Sequence, residues 1–192
     1  MIRTNYKKNK LQIITFIILG ALPLFMDSYY LDNISYFMCW TFISLGLAVI
    51  WGMGGILSFG QTAFFGLAGY GFSVISINFL GIAGVSLWSI VLALILTGVF
   101  GLIVGYFLFY GGIYDVFVGI VTLAITLVLE TFMQQTAGPE YAIGSARLNG
   151  FNGMQGMPTI GFESIPFGLL EGVTQYYFML ILAIITLIAL YK

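Results

Sequence analysis

Few side chains in this sequence could do chemistry. Glu130 is the one acidic residue well inside an apolar run, which covers about residues 114–136. Ser58, Gln61 and Thr62 are, with Tyr70, the only polar side chains of "WGMGGILSFGQTAFFGLAGYG" (51–71). That stretch has glycines at 52, 54, 55, 60, 66, 69 and 71 and no charge. The chain lacks histidine, which excludes Ser-His-Asp and Cys-His nucleophilic sites and the usual zinc sets. Lysine occurs only at 7, 8, 10 and 192, never after a G-x-x-x-x-G-K-[ST] loop, so no P-loop for ATP is present. Cys39, the single cysteine, reads as a small apolar side chain. No catalytic constellation forms. The chain is expected to be no enzyme and to carry no metal or cofactor of its own.

Composition sets the solvent in which those groups act. Charged residues are 7% of the 192, hydrophobic residues 60% and aromatic residues 17%, with a mean hydropathy of +1.07. Ordinary soluble domains carry about 25% charged residues. Six basic and seven acidic side chains could not cover a water-soluble globule of this length. The chain is therefore an integral membrane protein. Its net charge of −1 gives no argument for nucleic acid, and none is expected as a partner.

The elements that must position the polar groups are all-α, a polytopic transmembrane bundle of about six spans. Leu11 to Met26 is the first apolar run, preceded by Arg3, Lys7, Lys8 and Lys10. It has the plan of a signal peptide, but no small-x-small cleavage site follows, so it reads as an uncleaved span anchored by Tyr29 and Tyr30. The second run covers about 34–51, and the glycine stretch passes without a charge into a third that ends near Leu80. A fourth covers about 87–110 and contains "GLIVG" (101–105), a small-xxx-small spacing that lets backbones approach in lipid. The fifth is the run holding Glu130. Residues 138–175, with prolines 139, 158 and 166, are too broken to span and read as an extracytoplasmic loop within one transmembrane domain, 1–192. The last run, 176–191, would rise about 24 Å as a helix, slightly short of the roughly 30 Å hydrocarbon core.

The basic N-terminus belongs in the cytoplasm by the positive-inside rule. Six crossings return Lys192 to the same side. Five of the six basic residues then lie inside, while Asp27, Asp32, Glu140, Glu163 and Glu171 lie outside with Arg147.

"GLAVIWGMGGILSFGQTAFFGLAGY" (46–70) resembles the signature of LivM-like permeases of ABC importers through Gly52, Gly55, Leu57, Ser58, Gly60, Gln61, Ala63, Phe64, Phe65, Gly66 and Tyr70. "GGIYDVFVGIVTLAITLVLE" (111–130) is similar to a second family stretch through Gly112, Tyr114, Ile120, Val121, Thr122, Leu123 and Ala124. In "TAGPEYAIGSARLNGFNGMQGMP" (136–158), Asn149, Gly150, Asn152 and Gly153 resemble the family's external loop in expanded form. The resemblance runs from about residue 35 to the end. It departs at Tyr110 and Gly111, where the family has a basic residue, and at Glu130, about one turn later than the family's polar position.

The resemblance implies a permease for branched-chain amino acids or, in a sister branch, for urea and short amides, in the cell inner membrane. It implies ATP hydrolysis on separate ATPase subunits, a second related permease subunit, and a periplasmic substrate-binding protein, with lipid around the bundle. Family members continue for several more spans, including the loop that seats on the ATPase. The chain is therefore expected to be the N-terminal portion of a permease.

Each polar group has two readings. A charge at the bilayer centre costs roughly 2.5–3.5 kcal/mol on insertion scales. Glu130 is thus expected on a substrate path or a subunit contact, or else as an acid bonded to Thr126 or Gln134 one turn away. Gly54, Gly55, Ser58, Gly60 and Gln61 read as a broken helix lining the path, since irregular backbone is tolerated only against protein or a water-filled cavity. Gly66, Gly69 and Gly71 read as helix contact surfaces. Arg147, Asn149 and Asn152 are candidates for docking the binding protein, though Asn-Gly pairs also mark turns for backbone reasons. The rival function is a secondary transporter coupled by ions through Glu130. It calls for internal repeats, and residues 34–80 and 87–136 show no convincing one.

Overall fold

A computed structural model describes residues 14–161 and 171–191. Arg3, Lys7, Lys8, Lys10, Lys192, Glu163 and Pro166, which entered the orientation and loop assignments, lie outside the described residues. The helices are α1 (Ile14–Leu24, its last turn 3-10), α2 (Ser28–Gly54), α3 (Gln61–Asn78), α4 (Val85–Tyr110), α5 (Val116–Gln134) and α6 (Gly172–Tyr191). Between α5 and α6 lie a short antiparallel hairpin, β1 (Ala142–Ile143) and β2 (Ala146–Arg147), and a 3-10 turn, Gly150–Asn152.

Four of these helices, Ser28–Gly54, Val85–Tyr110, Val116–Gln134 and Gly172–Leu190, are long and apolar enough to cross a membrane. Against about six expected spans, four stand among the described residues, and the difference falls on α1 and α3. The helix of α1 is described over Ile14–Leu24, about 17 Å at 1.5 Å per residue. Helix α3 has 18 residues but opens on Gln61 and Thr62 and closes on Asn78, which dilutes its apolar content. The final helix is longer than its apolar run because Gly172–Gln175 join it. Its 20 residues rise about 30 Å, enough for the hydrocarbon core.

The chain divides into two compact units. One covers residues 1–42 and 169–192. There Leu31 and Tyr176 are fully buried with Leu180, and Ile34 and Met38 pack beside them. The spacing 31-34-38 is one face of a helix. The Tyr176 hydroxyl donates to the Leu19 carbonyl at 2.7 Å and that of Tyr177 to Gly20 at 3.0 Å. Asp32 Oδ1 accepts from the Gly172 N–H at 3.1 Å, which ties the second turn of α2 to the start of α6.

The second unit covers residues 43–168 and holds the end of α2, helices α3–α5 and most of the described loop between α5 and α6. Helices α3 and α4 pack through small residues. A Cβ at Gly71 would lie 3.5 Å from that of Ala93, and Ser73, Ser76, Ser86 and Ser89 are buried nearby in the chain. Small and hydroxylated contacts of this kind bring helices together where lipid leaves no hydrophobic drive. The contact role expected of Gly66, Gly69 and Gly71 holds for Gly71 alone, since a Cβ at either of the others would meet nothing within 4 Å. Within "GLIVG" only Gly101 makes a contact, a Cβ there standing 3.6 Å from the Phe64 ring.

Candidate functional site

The glycine stretch is a break in the helix. Helix α2 ends at Gly54, residues 55–60 are non-helical, and α3 begins at Gln61. Gly55 closes α2 at φ +66°, its N–H donating to the Trp51 carbonyl at 3.0 Å. A residue with a side chain would be strained in that left-handed conformation, which is why glycine ends so many helices.

The backbone freed by the break is paired against α5. The Phe59 N–H donates to Thr122 Oγ1 at 3.1 Å. Thr126 Oγ1 donates to the Phe59 carbonyl at 3.1 Å. Ser58 Oγ accepts the Gly60 N–H at 3.2 Å, and the Gly60 carbonyl accepts that of Phe64 at 3.2 Å. Thr122 is 4% exposed and Ser58 8%, so the bonds at these two hydroxyls are largely screened from solvent, while the Thr126–Phe59 bond lies at the exposed edge of the joint. Gly119 makes room, since a Cβ there would stand 3.1 Å from the Leu57 carbonyl oxygen. Residues 119, 122 and 126 recur at helical spacing on one face. Thr126 lies ten residues past the start of α5, about 15 Å along its axis. The break therefore lies along the first half of α5, from Gly119 to Thr126, within the length of a helix long enough to span a membrane, where each backbone group needs an internal partner.

Beside the break, α3 and α5 enclose a cleft of about 380 Å³. Its walls include Leu67, Leu129, Met133 and Phe151, and its polar members include Tyr70 and Glu130. Gln134 Nε2 donates to Glu130 Oε1 at 3.1 Å. Of the two partners expected for Glu130, this is the one it takes, because Thr126 Oγ1 is occupied by Phe59 and by the Thr122 carbonyl at 2.9 Å. Thr62 and Thr126 also line the cleft, so it begins where the break ends. Gly54, Gly55, Ser58, Gly60 and Gln61 do not line it. Gln61 instead turns to α2, where a Cβ at Gly46 would be 3.5 Å from its Oε1. The expected path residues thus fall into two places: Glu130 in the cleft, the others in the joint beside it.

The loop between α5 and α6 is fastened to the end of α3. Asn78 Nδ2 donates to the Ile143 carbonyl at 2.8 Å, and its Oδ1 accepts the Ser145 N–H at 2.8 Å and hydroxyl at 3.1 Å. Arg147 is exposed on β2, paired across the hairpin with Ala142. Asn149 takes φ +63° and its Nδ2 donates to the Gly153 carbonyl at 2.9 Å. The Asn152 N–H closes the same turn on the Asn149 carbonyl at 3.1 Å. The two asparagines therefore build the turn that carries Phe151 to the cleft. Gly150, at φ +51°, lies so close to Ala137 that a Cβ would come within 2.8 Å of it.

Reading the sequence alone missed the docking roles of Gly119, Thr122 and Thr126, the Asn78 clamp, and Phe151 as a wall. The signal for the first set is present: glycine and two threonines at i, i+3 and i+7 in an otherwise apolar helix. Asn78 and Phe151 had no local signal, since their partners are remote in sequence. Among the described residues no three His, Cys, Asp or Glu side chains gather to hold a metal.

Long apolar helices around a chain break that is paired within the protein define a multi-pass membrane protein. The chain belongs to the family of permease components of branched-chain amino acid transport systems, whose pattern matches over residues 29–192. No curated protein and no solved structure matches the chain.

Proposed function

We propose that the chain is a permease subunit of an ABC importer and forms part of the translocation path for branched-chain amino acids. The observation that carries this reading is the family match over residues 29–192. The break at 55–60, paired along the first half of α5, supports it, because irregular backbone within the span of a membrane helix accompanies solute paths in membrane transporters. Energy comes from ATP hydrolysed on separate ATPase subunits. A second related permease subunit completes the path, and a periplasmic binding protein delivers the solute to the outer loop at Arg147, Asn149 and Asn152. The protein lies in the inner membrane, its N-terminus cytoplasmic.

The experiment is reconstitution of the permease with its ATPases, partner permease and binding protein in liposomes. ATP-dependent uptake of leucine, isoleucine or valine is expected. Uptake driven by an ion gradient with no ATPase present would replace this reading with a secondary transporter.

A further inference from the structure

We propose that the cleft between α3 and α5 is a resting site for the solute within the permease. Glu130 takes the protonated amino group of a small zwitterion, and Leu67, Leu129 and Met133 take its aliphatic body. The inference rests on the transport reading above and adds a place and a binding mode to it.

Size selects the occupant first. A volume of about 380 Å³ lies at the lower end of the roughly 300–1,000 Å³ of small-molecule sites. It holds one small solute and has no room for a helix of a partner subunit. Polarity selects next. A lipid chain offers nothing to a carboxylate, and an ionisable side chain at membrane depth is retained where it has a partner. Glu130 has one oxygen on Gln134, and among the described residues its second oxygen has no protein partner. The Tyr70 hydroxyl, also at the cleft, likewise has none among them. The site therefore presents a negative acceptor and a phenol to an incoming polar end, with apolar side chains for the remainder.

That division distinguishes the two solute classes that share N–H donors. A hydrophobic amino acid fills both halves of the cleft. Urea or a short amide satisfies Glu130 but leaves the apolar walls uncovered. Phe151 is 77% exposed and is held at the cleft by the Asn149–Gly153 turn. It places one wall of the site on the loop that meets solute arriving from outside.

The test uses the reconstituted transporter with Cys39→Ser and a single new thiol at Leu129→Cys, and Leu67→Cys as a second position. Modification by a small methanethiosulfonate is timed with and without leucine-loaded binding protein and ATP. Leucine is expected to slow it about fivefold, as near-saturation of a site predicts. Urea at equal concentration is expected to leave the rate unchanged, and Glu130→Gln in the same background to abolish leucine protection. Absence of protection at both positions, in transporters that still take up leucine, overturns the cleft as a resting site and leaves the transport reading intact. Protection that survives Glu130→Gln overturns the role of the carboxylate, and protection by urea overturns the zwitterion. Failure of the unmodified transporter to take up leucine with ATP is the separate failure of the transport reading.

Discussion

The backbone N–H of Phe59 and the hydroxyl of Thr122 meet at 3.1 Å across 63 residues of chain. One belongs to the break between two helices, the other to the buried face of a third. Thr122 Oγ1 also donates within its own helix, with the Val118 carbonyl at 2.8 Å and that of Gly119 at 3.1 Å. A single hydroxyl thus accepts a hydrogen bond from the break and donates one to its own helix, and needs no water to do so.

Thr122→Val keeps the shape and removes the acceptor. An unpaired buried donor costs about 1–3 kcal/mol, so the purified protein should lose thermal stability. Thr122→Ser should retain most of it. An unfolding midpoint unchanged by the valine would show that the hydroxyl does not hold the break.

Gly119→Ala places a methyl group 3.1 Å from the Leu57 carbonyl oxygen and 3.4 Å from the Phe59 ring. Overpacking of this kind costs about 1–3 kcal/mol. Gly69→Ala, with no neighbour within 4 Å, should be neutral or stabilising by about 0.5–1 kcal/mol, the helical preference of alanine over glycine. The two midpoints should move in opposite directions, and a shared shift would remove the steric account.

Asn78→Ala releases the hairpin from α3. Hydrogen exchange at the Ser145 amide, now paired with Asn78 Oδ1 at 2.8 Å, should quicken about tenfold, the equivalent of about 1.4 kcal/mol of local opening. Exchange in the middle of α3 should stay as it was. A Ser145 amide that keeps its protection would mean that the hairpin stands without the clamp.

The orientation is open to a direct measurement. Ile143 is 53% exposed on β1, and only its backbone is used by Asn78. Ile143→Cys with Cys39→Ser should react with an impermeant thiol reagent in intact cells. Protection in intact cells with labelling only after lysis would invert the proposed topology.

Much of the fold is legible in the sequence, because lipid as solvent makes long apolar runs obligatory. Helices α2, α4 and α6 each contain an apolar run read from the sequence, and α5 lies within another. The errors occur where polar residues join a helix. Asp32 and Asn33 sit inside α2, and Thr174 and Gln175 inside α6, since helical hydrogen bonding continues past the end of an apolar run. Helix α3 shows the converse: its apolar residues promised a span, yet Gln61 and Thr62 open the helix and Asn78 closes it.

The candidate site was legible in its parts only. Gly54-Gly55 signals a helix end by itself, because left-handed backbone is a local property of glycine. The family membership is likewise carried by the order of residues in "GGILSFGQTAFFG". Which groups satisfy the break, and which residues stand beside Glu130, depends on the register of α3 against α5. That register is set by contacts between Leu57, Phe59, Gly119, Thr122 and Thr126 across some 60 residues of chain. The sequence by itself determined the solvent, the helices and the place of the break, all of which follow from local composition and backbone preference. Only the tertiary structure decided that Ser58 and Gln61 belong to the joint and Glu130 to the cleft, because close packing between distant segments is what separates them.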